Sequence, residues 1–244
     1  MPASAYTACA AVTAELGPYG RTRLTRLRSD GPLALRETPD GLYLVGAAAG
    51  PVGGDRLRLE ITVGAGASLR IRSVATAMAL PGRGESVYTV DARVEGYLDF
   101  APEPTIAVRG CRHRAVSRIE LGAEGDVRWL EELVLGRHRE EPGRHVGRID
   151  VTRLGVPLLR HELRLDASAR SRAVLGGARA VGSLVRTAAT AGPHAEDGLT
   201  VLPLAAGGTL ASAVAPDSAA LRRLLRRAEE GLEPVETASP IATR

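Results

Sequence analysis

The chain has 244 residues, 44 % of them apolar and 25 % charged, which is enough to bury a core and too apolar for disorder as the main state. Its formal charge of +4 comes from 32 basic and 28 acidic residues, and every basic residue is arginine. The two signs are interleaved and aromatics make up only 3 %, which argues against a nucleic-acid groove with its stacking rings along a basic track.

The weakly polar run Gly41 to Gly54 is too short for the roughly 20 residues of a membrane span. No basic n-region followed by an apolar h-region opens the chain, so no secretory signal is expected. Cys9 and Cys111 are too few for a disulfide scaffold and favour the cytosol.

Strict alternation begins at Arg56-Leu57-Arg58-Leu59-Glu60-Ile61-Thr62-Val63, the pattern of a strand with one buried and one wet face. Leu69 to Arg72, Val90 to Val94 and Leu163 to Leu165 repeat it. Such half-wet strands suit antiparallel pairing better than parallel. Glycines 66, 96, 125 and 155 punctuate the strands at intervals of 30, 29 and 30 residues. Each follows an apolar strand end and precedes another apolar residue. Strand, Gly turn and return strand then recur, predicting a mainly β fold of stacked antiparallel or mixed sheets in a β-roll-like scaffold.

In Val127-Arg128-Trp129-Leu130-Glu131-Glu132-Leu133 the alternation puts Glu131 on the face of Val127, Trp129 and Leu133. An inward carboxylate needs water, a cation or a partner. Either it is hydrated or bound to a cation inside, or an arginine such as Arg137 pairs with it, or a shift of strand phase turns it outward. The Ala- and Gly-rich stretch from Ala167 to Gly192 is ambiguous. Asp217-Ser218 caps a helix over about 217–231, with Leu221, Leu224, Leu225, Ala228 and Leu232 on one face and Arg222, Arg223, Arg226 and Arg227 on the other. One or two helices are thus expected near the C-terminus of a single domain spanning 1–234. The tail 235–244 reads as disordered.

Catalytic signatures are absent. Gly64-x-Gly66-x-x-Leu69 lacks its third glycine, and there is no Walker loop or Gly-x-Ser-x-Gly elbow. The histidines at 113, 138, 145, 161 and 194 never pair at helical ligand spacing. Cys111-x-His113 offers two metal ligands, short of a permanent site.

A set of motifs, in order, resembles one family. Gly53-Gly54-Asp55-Arg56-Leu57 followed by Val63-Gly64-Ala65-Gly66-Ala67 looks like the signature of urease accessory proteins of the UreD/UreH family. Gly20-Arg21-Thr22 and Gly31-Pro32-Leu33 match its opening. Leu98-Asp99-Phe100-Ala101-Pro102-Glu103-Pro104, Trp129-Leu130-Glu131 and Leu135-Gly136-Arg137 resemble its later elements. The matches run from about Gly20 to Leu165, and the C-terminal third matches poorly. The resemblance implies a non-enzymatic β-rich scaffold in the cytoplasm. Its implied partners are urease apoprotein, a bridging UreF-type protein and, through it, a UreG-type GTPase. It implies no permanently bound cofactor, only nickel in transit through an internal channel toward the urease active site.

A conduit must release its ion, so dispersed oxygen ligands suit it better than a closed soft set. Asp55, Glu103 and Glu131, one in each of three family-like elements, are the candidates for nickel transit. Asp55 also suits a turn carboxylate after Gly-Gly, and Glu103, between Pro102 and Pro104, an exposed loop residue. Arg137 is expected to be a structural ion-pair partner. Two other functions fit the residues: a β-sheet hydrolase using Glu131 and His161, and a metal-independent protein-interaction module.

Overall fold

A computed structural model describes residues 5–171 and 173–234, without the side chains of Arg170 and Pro234; the expected disordered tail, 235–244, lies outside the described residues. The first strands are β1 (Thr7–Leu16), β2 (Thr22–Arg28), β3 (Leu33–Thr38), β4 (Gly41–Gly46), β5 (Arg56–Val63), β6 (Ser68–Ser73) and β7 (Ala77–Ala79). The next are β8 (Ser86–Val94), β9 (Tyr97–Phe100), β10 (Thr105–Ala107), β11 (Arg112–Leu121), β12 (Asp126–Leu135), β13 (Arg144–Arg153) and β14 (Val156–Leu165). The chain ends in β15 (Ala180–Arg186), β16 (Ala189–Thr190), β17 (His194–Glu196), β18 (Leu199–Pro203), β19 (Thr209–Ala215), helix α1 (Ser218–Glu230) and β20 (Glu233–Pro234). The alternating segments therefore form strands, and the ambiguous stretch resolves into a short 3₁₀ turn at Ala167–Arg170, a loop, β15 and β16.

Two sheets stack. One is seven-stranded, in the order β14-β13-β11-β8-β5-β1-β2; the other runs β17-β18-β19-β15-β12-β9-β6-β4-β3, with β10 beside β12 and β7 beside β10. Expectation and structure differ in one respect: the alternating strands in the middle pair parallel, as β1/β5, β5/β8, β8/β11 and β11/β13 do. The reason is the winding of the chain. Each such strand crosses through a glycine turn into the second sheet (β5 to β6, β8 to β9, β11 to β12) before the next one begins, so successive strands of one sheet run the same way. The wet face is stabilised by an ion-pair lattice across the parallel strands, in which Asp91 takes Arg58 at 2.8 Å and Arg118 at 3.2 Å.

The glycine repeat has a packing cause. Successive turns stack so closely that a Cβ on Gly96 would lie 2.1 Å from the Ala67 carbonyl oxygen, and one on Gly125 would lie 2.1 Å from that of Val94. The last glycine of the series differs: Gly155 joins β13 to β14 in an antiparallel hairpin within one sheet, where the winding stops.

Between the sheets lies a dry core of Leu59, Ile61, Val63, Ala92, Val94, Ile119, Leu121 and Val151 from one side and Leu69, Ile71, Leu98, Val127 and Trp129 from the other. Helix α1 covers the opposite face of the second sheet. It buries Leu221, Leu225 and Ala228 against Leu184, Ala211 and Ala213, and Asp217 caps it by accepting from the Ala220 N–H at 2.7 Å.

Replacing Gly96 with alanine forces backbone apart and is expected to cost about 2–3 kcal/mol. The same change at Gly155, which meets nothing within 4 Å but sits at φ +82°, should cost only about 1 kcal/mol. Denaturant unfolding of the two variants measures the difference.

Candidate functional site: a polar cavity between the sheets

The inner face of the seven-stranded sheet changes character row by row. In register, one row reads Ile61, Ala92, Ile119, Val151 and Leu159. The next is Leu59, Val90, Ser117, Ile149 and His161, and after it come Leu57, Tyr88, Ala115, Gly147 and Leu163. The last is Ser86, His113, His145 and Leu165. Aliphatic packing thus gives way to hydroxyls and imidazoles, with small residues between them. Where it does, the sheets enclose a cavity of about 380 Å³ lined by Tyr88, His113, Ser117, Glu131, His145, His161 and Ser183 among others.

Strand β12 enters this space from the opposite sheet. Its period of two buries Val127, Trp129, Leu133 and Leu135 and carries Glu131 inward with them. The carboxylate is anchored at one oxygen: Oε1 accepts from Ser117 Oγ at 2.6 Å and from the Trp129 indole N–H at 2.8 Å. Burial raises the Glu131 pKa, and these two hydrogen bonds partly offset the rise. Tyr88 is also held above its ordinary value, first by burial and then by the Glu131 charge. Neither a phase shift nor Arg137 rescues Glu131 from the interior, because Arg137 pairs instead with Glu140 at 2.9 Å, outside the cavity.

Three imidazoles face the same space. His113 Nδ1 lies 2.9 Å from Ser86 Oγ, and its ring is 5.4 Å from that of His145. His145 Nδ1 is buried without a hydrogen-bond partner. His161 Nε2 is 3.3 Å from Ser183 Oγ. Burial lowers all three pKa values, to about 4 for His113 and about 3 for His145, where the neighbouring His113 adds to the effect. At neutral pH they are uncharged, the form in which imidazole ligates metals. The His113–His145 pairing escaped the sequence reading, which weighed His113 only with Cys111. The clue was available, since the two lie 32 residues apart, close to one repeat of the glycine series. Cys111 is no partner in this; its thiol is pushed up to about 11 by burial and then by the Glu140 charge.

Asp55, Glu103 and Glu131 all border the cavity but do not converge. Asp55 closes the turn before β5, its two oxygens accepting from the Tyr6 N–H at 2.9 Å and the Val52 N–H at 2.8 Å. Glu103 accepts from Arg222 Nη2 at 2.7 Å, and Arg222 also pairs with Glu132 at 3.0 Å. The Glu132 side chain is 1 % exposed against 40 % for Glu103, so Arg222 reaches from helix α1 to an inner and an outer carboxylate at once. Among the described residues no three His, Cys, Asp or Glu side chains are grouped to hold a metal. No arginine among the described residues lines the cavity, although the chain contains 32 basic residues. Every formal charge that the described residues place on its wall is negative. Glu131 and His161 share the space without a hydrogen bond between them.

Comparison with known proteins completes the picture. The family model described as UreD urease accessory protein matches residues 8–243. The urease accessory protein UreD of Frankia alni is 41 % identical, over 91 % of this chain and 92 % of its own. That of Parafrankia sp. is 40 % identical, over 88 % and 85 %. UreD 1 of Saccharopolyspora erythraea is 38 % identical, over 91 % and 93 %. The match extends through the C-terminal third, where the motif reading found little to align. No helix among the described residues is long and apolar enough to cross a membrane.

The histidine row makes stability depend on pH. With folded pKa values below the ordinary 6.5, the unfolded chain binds more protons between about pH 4 and 6.5, so acidification through that window destabilises the fold. Each imidazole contributes roughly 2 kcal/mol of loss by pH 5. Glu131, shifted upward, opposes this above pH 4.5. Thermal melts at pH 7 and pH 5 should show a smaller drop for His113→Gln/His145→Gln than for the wild type.

Proposed function

Because the chain belongs to the UreD family of urease accessory proteins, we propose that it acts in urease maturation as a cytoplasmic scaffold. It binds urease apoprotein and passes nickel toward the enzyme's active site through the cavity between its sheets. A UreF-type bridging protein and a UreG-type GTPase complete the assembly. It performs no catalytic step of its own.

One observation carries this reading: a cavity in an arginine-rich protein whose wall bears carboxylates, neutral imidazoles and hydroxyls and, among the described residues, no arginine. Such a wall attracts cations and repels none. Imidazole nitrogen and carboxylate oxygen both suit a borderline divalent ion such as nickel. The polar groups are spread over successive rows instead of being gathered at one point, which favours brief, multi-site occupancy over tight retention. Nickel is the cargo here and not a resident cofactor.

The chain's own groups have distinct tasks in this scheme. Glu131 offers its less engaged oxygen while Ser117 and Trp129 hold the other in place. Ser86 orients the His113 ring. Glu103, held by Arg222, lies at the more exposed part of the wall, and Asp55 keeps the neighbouring turn closed while adding to the negative potential.

The test is urease maturation in cells co-expressing the urease subunits and the other accessory proteins. Glu131→Gln keeps the shape and the hydrogen bonds to Oε1 but removes the charge. Nickel content of purified urease should fall by about fivefold or more, with the accessory complex unchanged in size-exclusion chromatography. Glu60→Gln, on the outer face, should leave loading intact. Normal nickel content with Glu131→Gln would defeat the proposal.

A further inference from the structure

Most arginines on the outer face of the seven-stranded sheet are paired with carboxylates, although, among the described residues, Arg56, Arg112 and Arg144 are not. Arg58 pairs with Asp91 at 2.8 Å, Arg93 with Glu120 at 3.2 Å, Arg148 with Asp150 at 2.9 Å and Arg164 with Glu162 at 2.6 Å. Edge strand β2 breaks this pattern. Arg21, Arg23, Arg26 and Arg28 are all exposed, and none forms an ion pair with a described residue. Even Glu15, opposite Arg23 in the β1/β2 register, stays beyond ion-pair distance. Four like charges in so short a segment repel one another, a cost that the paired arginines of this face avoid.

Two further features share the hairpin. Strand β2 is bonded on one side only, to β1, so its other side is a free ladder of N–H and C=O groups. Leu16 and Leu27 are exposed along it, and Tyr19 at the tip is 99 % exposed with φ at 68°, a backbone region that a tyrosine seldom adopts. Arginine and tyrosine are residue types enriched at interface hot spots, and the exposed leucines add apolar area to the hairpin. Charge alone on an edge strand guards against aggregation, but a guard does not call for exposed leucines and a tyrosine held out into solvent.

We propose that β2 is the docking edge for an acidic, extended segment of a partner protein. The segment adds as a further strand beside β2, with backbone hydrogen bonds supplying affinity. Its carboxylates pair with Arg23, Arg26 and Arg28, which the β1/β2 register brings to the outer face. The free backbone edge and the leucines favour a peptide over a nucleic acid, which would require stacking rings that the strand lacks. This surface lies on the outside of the sheet and is independent of the nickel reading.

The probe is a fluorescein-labelled decapeptide of alternating Glu and Val, titrated with the full chain and followed by anisotropy. It should bind, more weakly at high salt. Arg23→Glu/Arg26→Glu should lower the affinity about tenfold or more, and Arg23→Gln/Arg26→Gln should do so to a lesser degree. Both variants alter exposed side chains, so their melting curves should match the wild type. A peptide N-methylated at alternate residues should lose most of its binding, because it cannot complete the ladder. Absence of binding, equal binding by a Lys–Val peptide, equal binding by the N-methylated peptide, or unchanged affinity in the variants would each overturn the proposal. Tighter binding of a single-stranded oligonucleotide would overturn it in favour of a nucleic-acid surface.

Discussion

A β-strand has two faces and no third, and in β12 that restriction has consequences for the whole molecule. Trp129 must point inward to stack on Phe100, with ring centroids 4.0 Å apart and planes within 15°. Two residues on, Glu131 must point inward as well. A fully buried indole N–H needs an acceptor, and a buried carboxylate needs donors. Each meets part of the other's requirement, and Ser117, facing them from the opposite sheet, adds a second donor. The carboxylate's remaining oxygen still requires room and polarity around it. The cavity provides both, so the dry core and the polar chamber meet at one tryptophan–glutamate contact.

The winding of the chain turns that local contact into a gradient. The five middle strands of the seven-stranded sheet (β1, β5, β8, β11 and β13) run parallel, so the same end of each one lies at the same end of the molecule. Positions that begin β8, β11 and β13 are polar (Ser86, His113, His145), and beyond Tyr88 and Ser117 those further along are aliphatic. Parallel registration stacks the three leading polar positions into a single row. An antiparallel arrangement would have divided them between the two ends and left no chamber. Aliphatic packing thus resides at one end of the sandwich and polar groups at the other, with the glycine turns keeping the layers close enough to pack.

Much of this was legible in the sequence, and the parts that were not have a common cause. Alternation located the strands, glycine spacing the repeat, and capping grammar the helix, because all three are local. The inward direction of Glu131 followed from counting by twos. Parallel pairing, the His113–His145 row and the bridge from Arg222 to Glu103 and Glu132 depend on which strands become neighbours, and local pattern does not encode that. Asp55 illustrates the same limit. Gly53-Gly54-Asp55 announced a turn, but nothing nearby revealed that one oxygen would hold the Tyr6 N–H, 49 residues away.

The chain has one tryptophan, so its indole N–H gives a single signal in a proton–nitrogen correlation spectrum, and that proton is hydrogen-bonded to the carboxylate at the centre of this account. Paramagnetic nickel added in substoichiometric amounts to the labelled protein should broaden the indole signal first, and a chelator should restore it. If that signal stays sharp while resonances of surface carboxylates broaden, nickel does not enter the chamber, and the account of a cation-conducting interior is wrong.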